Sequence, residues 1–239
     1  MTELLLAADF DGTISAISHD PDDVTIDPVA ATFLRRASAT DGVVVAILSG
    51  RDVDDLSSRV DSVHAYLSGS HGLEVRSPYG KMLREVAPLA VSLDADLERD
   101  AKSLGIRIER KKHAIALHWR GAPNIDESHP ILDAFRAWAD ANDLEWIGGR
   151  RVLEARAHGG GKEDALRFLA TITSAHRVLY AGDDLTDFPA LRYASARGRA
   201  FFVANEEREA PPFATTVHSR DELLRELAAE VHRPQLAEI

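Results

Sequence analysis

The sequence predicts an α/β protein: a doubly wound, mostly parallel, Rossmann-like sheet with a smaller α+β domain inserted into it. Short apolar runs alternate with helical segments at both ends of the chain, which is the pattern of a parallel sheet covered by helices on both faces. Three of these runs stop abruptly at polar residues, as strands do where open α/β sheets bind ligands. All three tryptophans fall in a central stretch with a different order of elements. We therefore expect a core domain made of residues 1–85 and 155–239 and an inserted domain made of residues 86–154.

Composition excludes several classes of function. The 239 residues are 45% hydrophobic and 28% charged, which is typical of a globular protein. The formal net charge of -11 argues against nucleic acid or an anionic membrane as the main partner. There is no cysteine, which excludes disulfides and thiolate catalysis, and no apolar run approaches the ~18–20 residues that span a bilayer. The apolar run near the N-terminus lacks the basic flank of a signal peptide, so we expect a cytoplasmic monomer that acts on a small molecule.

The first part of the predicted core begins with a buried strand. This strand starts at Leu4, is apolar on both faces, and ends at Asp9 and Asp11. Pro28 at a first helical position, with Asp27 as its cap, predicts a helix that extends to residue 39. The further elements predicted here are a strand over 43–48, a helix over 52–60, a strand over 65–68 and a hairpin turn at 78–80.

The inserted domain is predicted from a change in the hydrophobic pattern. Leu89, Leu93 and Leu97 share one helical face and predict a helix from near residue 86 to Gly105. A second helix opens at Pro130, and strands are predicted over 106–109, 113–120, 145–147 and 151–156. This αββαββ order can form a small core of its own.

The core pattern resumes after the three glycines at 159–161. A helix is predicted over 162–172 and a strand over 177–181, with a further helix after Asp187. Two short strands over 200–203 and 215–217 and a closing helix over 220–231 complete the core.

Polar residues collect at the ends of the predicted core strands. In a doubly wound sheet these ends lie along one edge, so we expect the residues that follow them to lie close together. Strand periodicity places Asp9 and Asp11 on the same side, where two carboxylates repel each other unless a cation or a proton compensates. The residues at this edge are Asp9 and Asp11, then Ser49, Gly50 and Arg51, then Lys162 at a helix start, and finally Asp183, Asp184 and Asp187.

Together these residues are suited to a phosphoryl group. Carboxylate oxygens are ligands that Mg²⁺ prefers, and Mg²⁺ shares its coordination shell with substrate phosphate. The turns at Gly12 and Gly50 leave backbone amides free to approach an anion, while Ser49 and Lys162 supply a hydroxyl and a cation. Each group alone also fits a structural role, as a polar turn or a helix cap. Only the combination indicates a phosphate site.

In this chain order the motifs resemble those of the haloacid dehalogenase superfamily of phosphotransferases, and more closely those of the trehalose-6-phosphate phosphatase family. Residues 9–13 match the first motif, residues 49–51 the second, Lys162 the third and residues 182–187 the fourth. Residues 70–74 resemble the family's His-Gly-x-Glu segment, and the inserted domain matches its α+β cap. Residues of that domain fall at the family's Glu-x-Lys…His-x-Arg spacing and on its cap-exit strand, namely Glu109, Lys111, His118, Arg120 and Glu154.

The resemblance implies a mechanism. Asp9 would attack phosphorus and form an aspartyl phosphate. Asp11, crowded by anions, would keep a proton and act as general acid and base. Mg²⁺ would be held by the side chains of Asp9 and Asp183 and by the backbone carbonyl of Asp11, while Asp184 and Asp187 would orient its waters.

The resemblance also implies how the substrate is bound. Ser49 and Lys162 would bind the oxygens of the transferred phosphate. Nothing in the predicted core site recognises a sugar, so selectivity would come from the cap. The implied substrate contacts are Gly12, Gly50, Arg51, Lys111, His118, Arg120 and Glu154.

The implied reaction is Mg²⁺-dependent hydrolysis of trehalose 6-phosphate, and other reactions stay open. A phosphatase for glucosyl- or mannosyl-3-phosphoglycerate or for sucrose phosphate would share the core and the type of cap. Two departures from the family pattern leave room for such an enzyme: Phe188-Pro189 after the fourth motif, and no apolar residue directly before Lys162. A phosphosugar mutase is a different reaction class. A non-catalytic sugar-phosphate sensor would have lost a catalytic carboxylate or the lysine, and this chain retains them.

Overall fold

The structure, a computed structural model, describes residues 2–16, 23–60, 63–149 and 151–233. The chain forms two compact units. One consists of Met1–Arg84 and Gly161–Ile239, and the other of Glu85–Gly160. We call them the core unit and the inserted unit.

The core unit is built on an eight-stranded sheet. In sheet order the strands are β12 (Thr215–Val217), β11 (Gly198–Val203), β10 (Arg177–Gly182), β1 (Leu4–Asp9), β2 (Val43–Leu48), β3 (Tyr66–Gly69), β4 (Glu74–Arg76) and β5 (Met82–Glu85). The pairings from β12 through to β3 are parallel, and β4 pairs with β3 in antiparallel orientation. The sheet is therefore mostly parallel, as the sequence predicts.

Helices cover both faces of this sheet because alternate strand residues point to opposite sides. On β1, Leu4 and Leu6 belong to one hydrophobic cluster, whereas Leu5 and Ala7 belong to another. The first cluster includes residues of α1 (Pro28–Ser38), α2 (Val53–Arg59) and α7 (Arg220–Val231), and the second includes residues of α5 (Lys162–Thr173) and α6 (Phe188–Ser195). The doubly wound α/β class is thereby confirmed. Among the described residues, each helix is too short or too polar to cross a bilayer.

One arginine links the start of α7 to the segment after β1. Arg220 Nε donates to the backbone carbonyl of Thr13 at 3.2 Å, and its Nη1 lies 3.0 Å from Asp27 Oδ2. The other carboxylate oxygen of Asp27 caps α1 by accepting from two backbone N–H groups. Residues at the N-termini of α1 and α7 thus hold the loop that follows β1.

The inserted unit has its own antiparallel sheet and its own core. Its four strands, in sheet order, are β6 (Arg107–Arg110), β7 (Ala114–His118), β9 (Val152–Arg156) and β8 (Glu145–Gly149). The helices α3 (Ala95–Ser103) and α4 (Pro130–Ala141) pack against one face of this sheet. Leu117, Leu132, Phe135 and Ala155 are fully buried between the layers.

The first helix of the inserted unit begins later than the sequence predicts. It starts at Ala95 rather than near residue 86, and the Asp94 side chain caps it by accepting from two backbone N–H groups. The N–H of Leu89 donates instead to the carbonyl of Lys112, and Pro88 disfavours a helical conformation at the preceding residue. The periodic leucines before residue 95 therefore mark burial, not a helix.

The other predicted helices and strands agree with the structure to within two residues at each end. The largest differences occur at strand ends, for example at β7, which was expected to continue to residue 120. It ends at His118, and a turn follows in which the N–H of Ala122 donates to the carbonyl of Trp119 and Gly121 has a φ of +86°.

Candidate active site

The carboxyl ends of β1, β2 and β10 meet at one edge of the core sheet. β1 lies between the other two strands and is parallel to both. The segments that follow these strands are residues 9–12, 49–51 and 183–187, and α5 begins with Lys162 at the same place. The structure therefore brings the three polar corners and the lysine together.

Lys162 lies buried between two carboxylates. Its Nζ donates to Oδ1 of Asp9 at 2.6 Å and to Oδ1 of Asp187 at 2.7 Å. Burial alone lowers the pKa of Lys162, but the charges of Asp187 and Asp9 outweigh it and raise that pKa above its ordinary value. Lys162 is therefore a fixed cation in this site.

Asp187 is held by hydrogen bonds to both of its carboxylate oxygens. Its Oδ1 accepts from Lys162 and, at 2.6 Å, from the hydroxyl of Tyr180. Its Oδ2 accepts from the N–H groups of Asp183 at 3.2 Å and Asp184 at 3.1 Å. An ionised carboxylate has about four lone-pair positions, so these bonds use the acceptor capacity of Asp187. Asp187 therefore anchors the site through four hydrogen bonds.

The same cluster has the composition of a site for a divalent cation. Carboxylate oxygens of Asp9, Asp183 and Asp187 lie within 4.8 Å of one another, and all three residues are buried. Burial raises the pKa of Asp9 well above its ordinary value, although Lys162 opposes the shift. Three carboxylates beside one lysine leave excess negative charge unless another cation binds. An all-oxygen donor set of this kind fits Mg²⁺.

Gly12 makes room for the Asp183 carboxylate, and its backbone N–H is already bonded. Its φ is +84°, and a Cβ at this position would lie 2.3 Å from Oδ2 of Asp183. Its N–H already donates to the carbonyl of Ser15 at 3.2 Å. The sequence predicts Gly12 and Gly50 as backbone donors to the substrate. The structure gives both a steric role, because a Cβ on Gly50 would lie 2.5 Å from Nε2 of His71.

At the second corner, Arg51 pairs with Asp11. Its Nε and Nη2 donate to the two oxygens of Asp11 at 2.9 and 2.8 Å, and its Nη1 donates to Asp55 at 3.2 Å. The guanidinium also lies 5.6 Å from the centroid of the Phe10 ring. Buried Ser49 accepts at Oγ from the N–H of Arg51 at 3.1 Å. The sequence predicts anionic surroundings for Asp11 and a substrate contact for Arg51, whereas in the structure these two side chains bind each other.

The turn over residues 70–72 braces the second corner. Ser70, His71 and Gly72 all have positive φ, of 50°, 53° and 99°. The first two donate their N–H groups to backbone carbonyls of the second corner. A non-glycine residue in this left-handed backbone region carries a strain of about 1–3 kcal/mol. The two hydrogen bonds hold Ser70 and His71 in this conformation. Glu74 is buried and caps α2 by accepting from the N–H of Val53 at 3.0 Å, so its role is structural.

In the inserted unit, a group of predicted substrate residues lies on the polar face of the sheet. Nζ of Lys111 lies 2.6 Å from Oε2 of Glu154, and Nε2 of His118 lies 2.7 Å from Oε2 of Glu109. Strand pairing places Glu109 and Glu154 on either side of the small residue Ala116. The hydrogen bond from His118 lowers the pKa of Glu109 to about 2, so this carboxylate is ionised at neutral pH.

Arg120 is the predicted substrate residue that the structure places outside this group. It lies exposed in the turn after β7. The strand has ended there, so the alternation that aligns His118 with Glu109 does not extend to Arg120.

Three residues absent from the predicted site also hold the third corner, residues 183–187. Asn205 Nδ2 donates to the backbone carbonyl of Asp183 at 2.8 Å, and Arg208 Nε donates to Oδ1 of Asp184 at 3.2 Å. Both follow β11, another parallel strand that ends at this edge, so a polar residue shortly after a core strand was the available signal. The third residue, Tyr180, lies within an apolar strand and gives no such signal.

The sequence is similar to known phosphatases over most of its length. The family model described as trehalose-phosphatase matches residues 7–201. The trehalose-phosphate phosphatase of Mycobacterium marinum is 34% identical over an alignment of 214 residues, and the alignment covers 83% of this chain and 53% of that relative. The chain thus spans about half the length of the curated trehalose-phosphate phosphatases it matches.

Solved structures share the fold. The C-terminal domain of trehalose-6-phosphate phosphatase from C. albicans matches with a TM-score of 0.74 at 20% identity, over 96% of this chain and 92% of that chain. A haloacid dehalogenase-like hydrolase from B. subtilis matches with a TM-score of 0.67 at 15% identity, over 95% and 99% of the two chains. The core with its inserted unit is therefore the haloacid dehalogenase fold that the motifs imply.

We predict that Gly12→Ala disrupts the carboxylate cluster. A left-handed backbone costs an alanine about 1–2 kcal/mol, and the added Cβ must also displace the Asp183 side chain. We expect at least a ~10-fold loss of Mg²⁺ affinity in isothermal titration calorimetry, because a loss of one ligand's position costs 1.4 kcal/mol or more.

Gly80→Ala is the matched control. Gly80 has a φ of +81°, and a Cβ there would meet nothing within 4 Å. We expect this variant to be destabilised only by the left-handed backbone that the alanine must adopt. It should bind Mg²⁺ as tightly as the parent does. Equal Mg²⁺ affinity in the two variants would show that Gly12 does not shape the cluster.

Proposed function

The chain belongs to the trehalose-phosphatase family, and we propose that it is a Mg²⁺-dependent phosphatase that hydrolyses trehalose 6-phosphate to trehalose and phosphate. The observation that supports this most directly is buried Lys162, whose Nζ lies 2.6 Å from Asp9 beside a cluster of carboxylates. A carboxylate nucleophile, a fixed cation and oxygen ligands for a metal are the components that phosphoryl transfer through an aspartyl phosphate requires.

Asp9 is the proposed nucleophile. It attacks phosphorus in line, so that a bond forms between its carboxylate oxygen and phosphorus while the bond from phosphorus to the sugar oxygen breaks. Lys162 bonds to Oδ1 of Asp9, and Oγ1 of Thr13 lies 3.4 Å from its Oδ2, which fixes the orientation of the carboxylate. Water then attacks phosphorus, which restores Asp9 and releases phosphate.

Asp11 is the proposed acid and base. It gives a proton to the departing sugar oxygen and later takes one from the attacking water. The Asp11 side chain is 40% exposed, compared with 5% for Asp9, so it exchanges protons with solvent more readily. Because Arg51 bonds to both oxygens of Asp11, we assign Arg51 to the orientation of Asp11 and not to the substrate phosphate. One of these two bonds opens when Asp11 carries the proton that it donates.

The remaining core residues would bind the metal and the phosphate. Asp9 and Asp183 would hold Mg²⁺ with their side chains, together with the backbone carbonyl of Asp11. When bound, Mg²⁺ supplies positive charge that offsets the repulsion between the carboxylates and the phosphate. Ser49 and Lys162 would bind the non-bridging oxygens, where charge persists through a loose transition state.

Recognition of the sugar is proposed to lie in the inserted unit. The core groups are suited to a phosphoryl group, and none of them distinguishes one sugar from another. On the polar face of the inserted sheet, Lys111, His118 and Glu154 place hydrogen-bonding groups around Ala116. A small residue there would leave room for a sugar ring, whose hydroxyls can form hydrogen bonds. Arg120, exposed in the adjoining turn, is the fourth proposed contact.

We predict that Asp9→Asn abolishes turnover while the protein stays folded. Loss of a nucleophile costs on the order of 10⁴-fold or more in kcat. The assay is release of inorganic phosphate from a panel of sugar phosphates, with and without Mg²⁺; the panel contains trehalose 6-phosphate, sucrose phosphate and the glycosyl phosphoglycerates.

Asp41→Asn is the control, since Asp41 is exposed before β2, at the strand end opposite the site. We expect it to retain activity. If the parent prefers another member of the panel, that compound replaces trehalose 6-phosphate as the proposed substrate. Substantial activity of Asp9→Asn with Mg²⁺ would show that Asp9 is not the nucleophile.

We predict that Lys111→Ala weakens recognition of the sugar part of the substrate and leaves recognition of the phosphate unchanged. Removal of a charged hydrogen-bonding group costs about 1.5–3 kcal/mol, so KM for trehalose 6-phosphate should rise about 10-fold or more. KM for p-nitrophenyl phosphate, which has no sugar, should stay the same. The matched control is the neighbouring Lys112→Ala, which removes a partner of Glu85 on the surface. A similar rise in both KM values for Lys111→Ala would contradict the assignment.

We predict that the loss of kcat caused by Arg51→Gln depends on the leaving group of the substrate. General acid catalysis contributes about 10²–10⁴-fold and matters for a poor leaving group such as a sugar, but not for an activated aryl phosphate. If Arg51 acts through Asp11, kcat falls for the sugar phosphate far more than for the aryl phosphate. Equal losses would mean that Arg51 contacts the phosphoryl group itself. Arg36→Gln, at an exposed position of α1, is the control.

A further inference from the structure

A buried hydroxyl behind the active site has no part in the mechanism described above. Tyr180 lies on β10, is 0% exposed, and packs in the hydrophobic cluster that also contains Leu5 and residues of α5 and α6. Its ring needs no polar partner in these surroundings. Its hydroxyl nevertheless donates to Oδ1 of Asp187 at 2.6 Å, a short bond to a buried carboxylate.

The oxygen that Tyr180 contacts is shared with the catalytic lysine. Lys162 donates to the same Oδ1 of Asp187 at 2.7 Å and to Oδ1 of Asp9 at 2.6 Å. The ammonium group is thus divided between an anchoring carboxylate and the nucleophile. Whatever changes the attraction of Asp187 for Lys162 changes the position of Lys162 relative to Asp9.

We propose that Tyr180 is a positioning residue, which keeps Lys162 on Asp9 by donating a hydrogen bond to Asp187. A hydroxyl donor withdraws part of the negative charge that Oδ1 of Asp187 presents to the lysine. Without this donor, Asp187 attracts Lys162 more strongly, and the ammonium moves away from Asp9 and from the phosphoryl group it would stabilise. The inference rests on the proposed function, because it assumes that Lys162 and Asp9 act on a phosphoryl group.

A purely structural role makes a different prediction. A buried tyrosine that only satisfies its own hydroxyl contributes to stability, and its loss lowers the melting temperature without changing kcat. A positioning residue changes kcat by the same factor for every leaving group, since Lys162 and Asp9 act on phosphorus and not on the sugar. This pattern also separates Tyr180 from Arg51, whose effect depends on the leaving group.

The test is Tyr180→Phe, with Tyr193→Phe as the matched control. Tyr193 belongs to the same hydrophobic cluster, and its ring lies 4.4 Å from the guanidinium of Arg167 and 4.2 Å from that of Arg197. We expect Tyr180→Phe to lose about 10-fold in kcat with both trehalose 6-phosphate and an aryl phosphate, a change of about 1.4 kcal/mol in the barrier. KM for each substrate should change by less than about threefold, and Tyr193→Phe should match the parent.

A second measurement does not depend on turnover. Beryllium trifluoride with Mg²⁺ mimics a phosphorylated aspartate, and its affinity is measured by calorimetry. We expect Tyr180→Phe to bind it about 10-fold more weakly than the parent and Tyr193→Phe to bind it equally well. If the parent releases phosphate from no substrate, the proposed function fails, and this binding measurement still tests the role of Tyr180.

Tyr180→Met guards against a folding defect specific to phenylalanine, because methionine is also apolar and adapts its shape to a buried site. Equal losses of kcat and of beryllium trifluoride affinity in the two variants support the proposal, since both variants lack the hydroxyl. Parent-like kcat and beryllium trifluoride affinity in either folded variant would overturn it.

Discussion

The charge balance around Lys162 is the constraint on which the rest of the core site depends. One ammonium group lies beside the buried carboxylates of Asp9, Asp183 and Asp187. Buried charge without compensation costs several kcal/mol, so the surrounding elements either supply hydrogen-bond donors or leave space. Two backbone N–H groups and the Tyr180 hydroxyl bond to Asp187, while glycine at position 12 allows Asp183 to approach. The excess negative charge that remains is the physical reason for which we propose a divalent cation at this edge of the sheet.

Most of the fold could be predicted because its signals are local. The strand Val43–Leu48 and the helix Arg220–Val231 have the predicted bounds, since a continuous apolar run and a helix cap each act within a few residues. The error at residues 86–94 has a physical cause. A segment that packs its leucines against a sheet in an irregular conformation buries them as a helix does, so their spacing alone does not distinguish the two.

The candidate site was predictable at the level of which residues meet, but not of what each one touches. Strand ends locate Asp9, Ser49 and Asp183 at one edge, because parallel strands leave the sheet on the same side. The pairing of Arg51 with Asp11 joins positions 40 residues apart, and the pairing of Lys111 with Glu154 joins positions 43 apart. Such pairings depend on strand register and side-chain rotamers, which no short stretch of sequence determines.

The close approach of Gly12 to Asp183 has a consequence for how such sequences diverge. The two positions compete for one small volume, since a single methyl group on the first would overlap a carboxylate oxygen of the second. The residue at either position therefore limits which substitutions the other tolerates, although the two lie in separate halves of the chain. In an alignment they would vary together or stay invariant together, and a redesign that enlarges one must shorten the other and so give up a carboxylate.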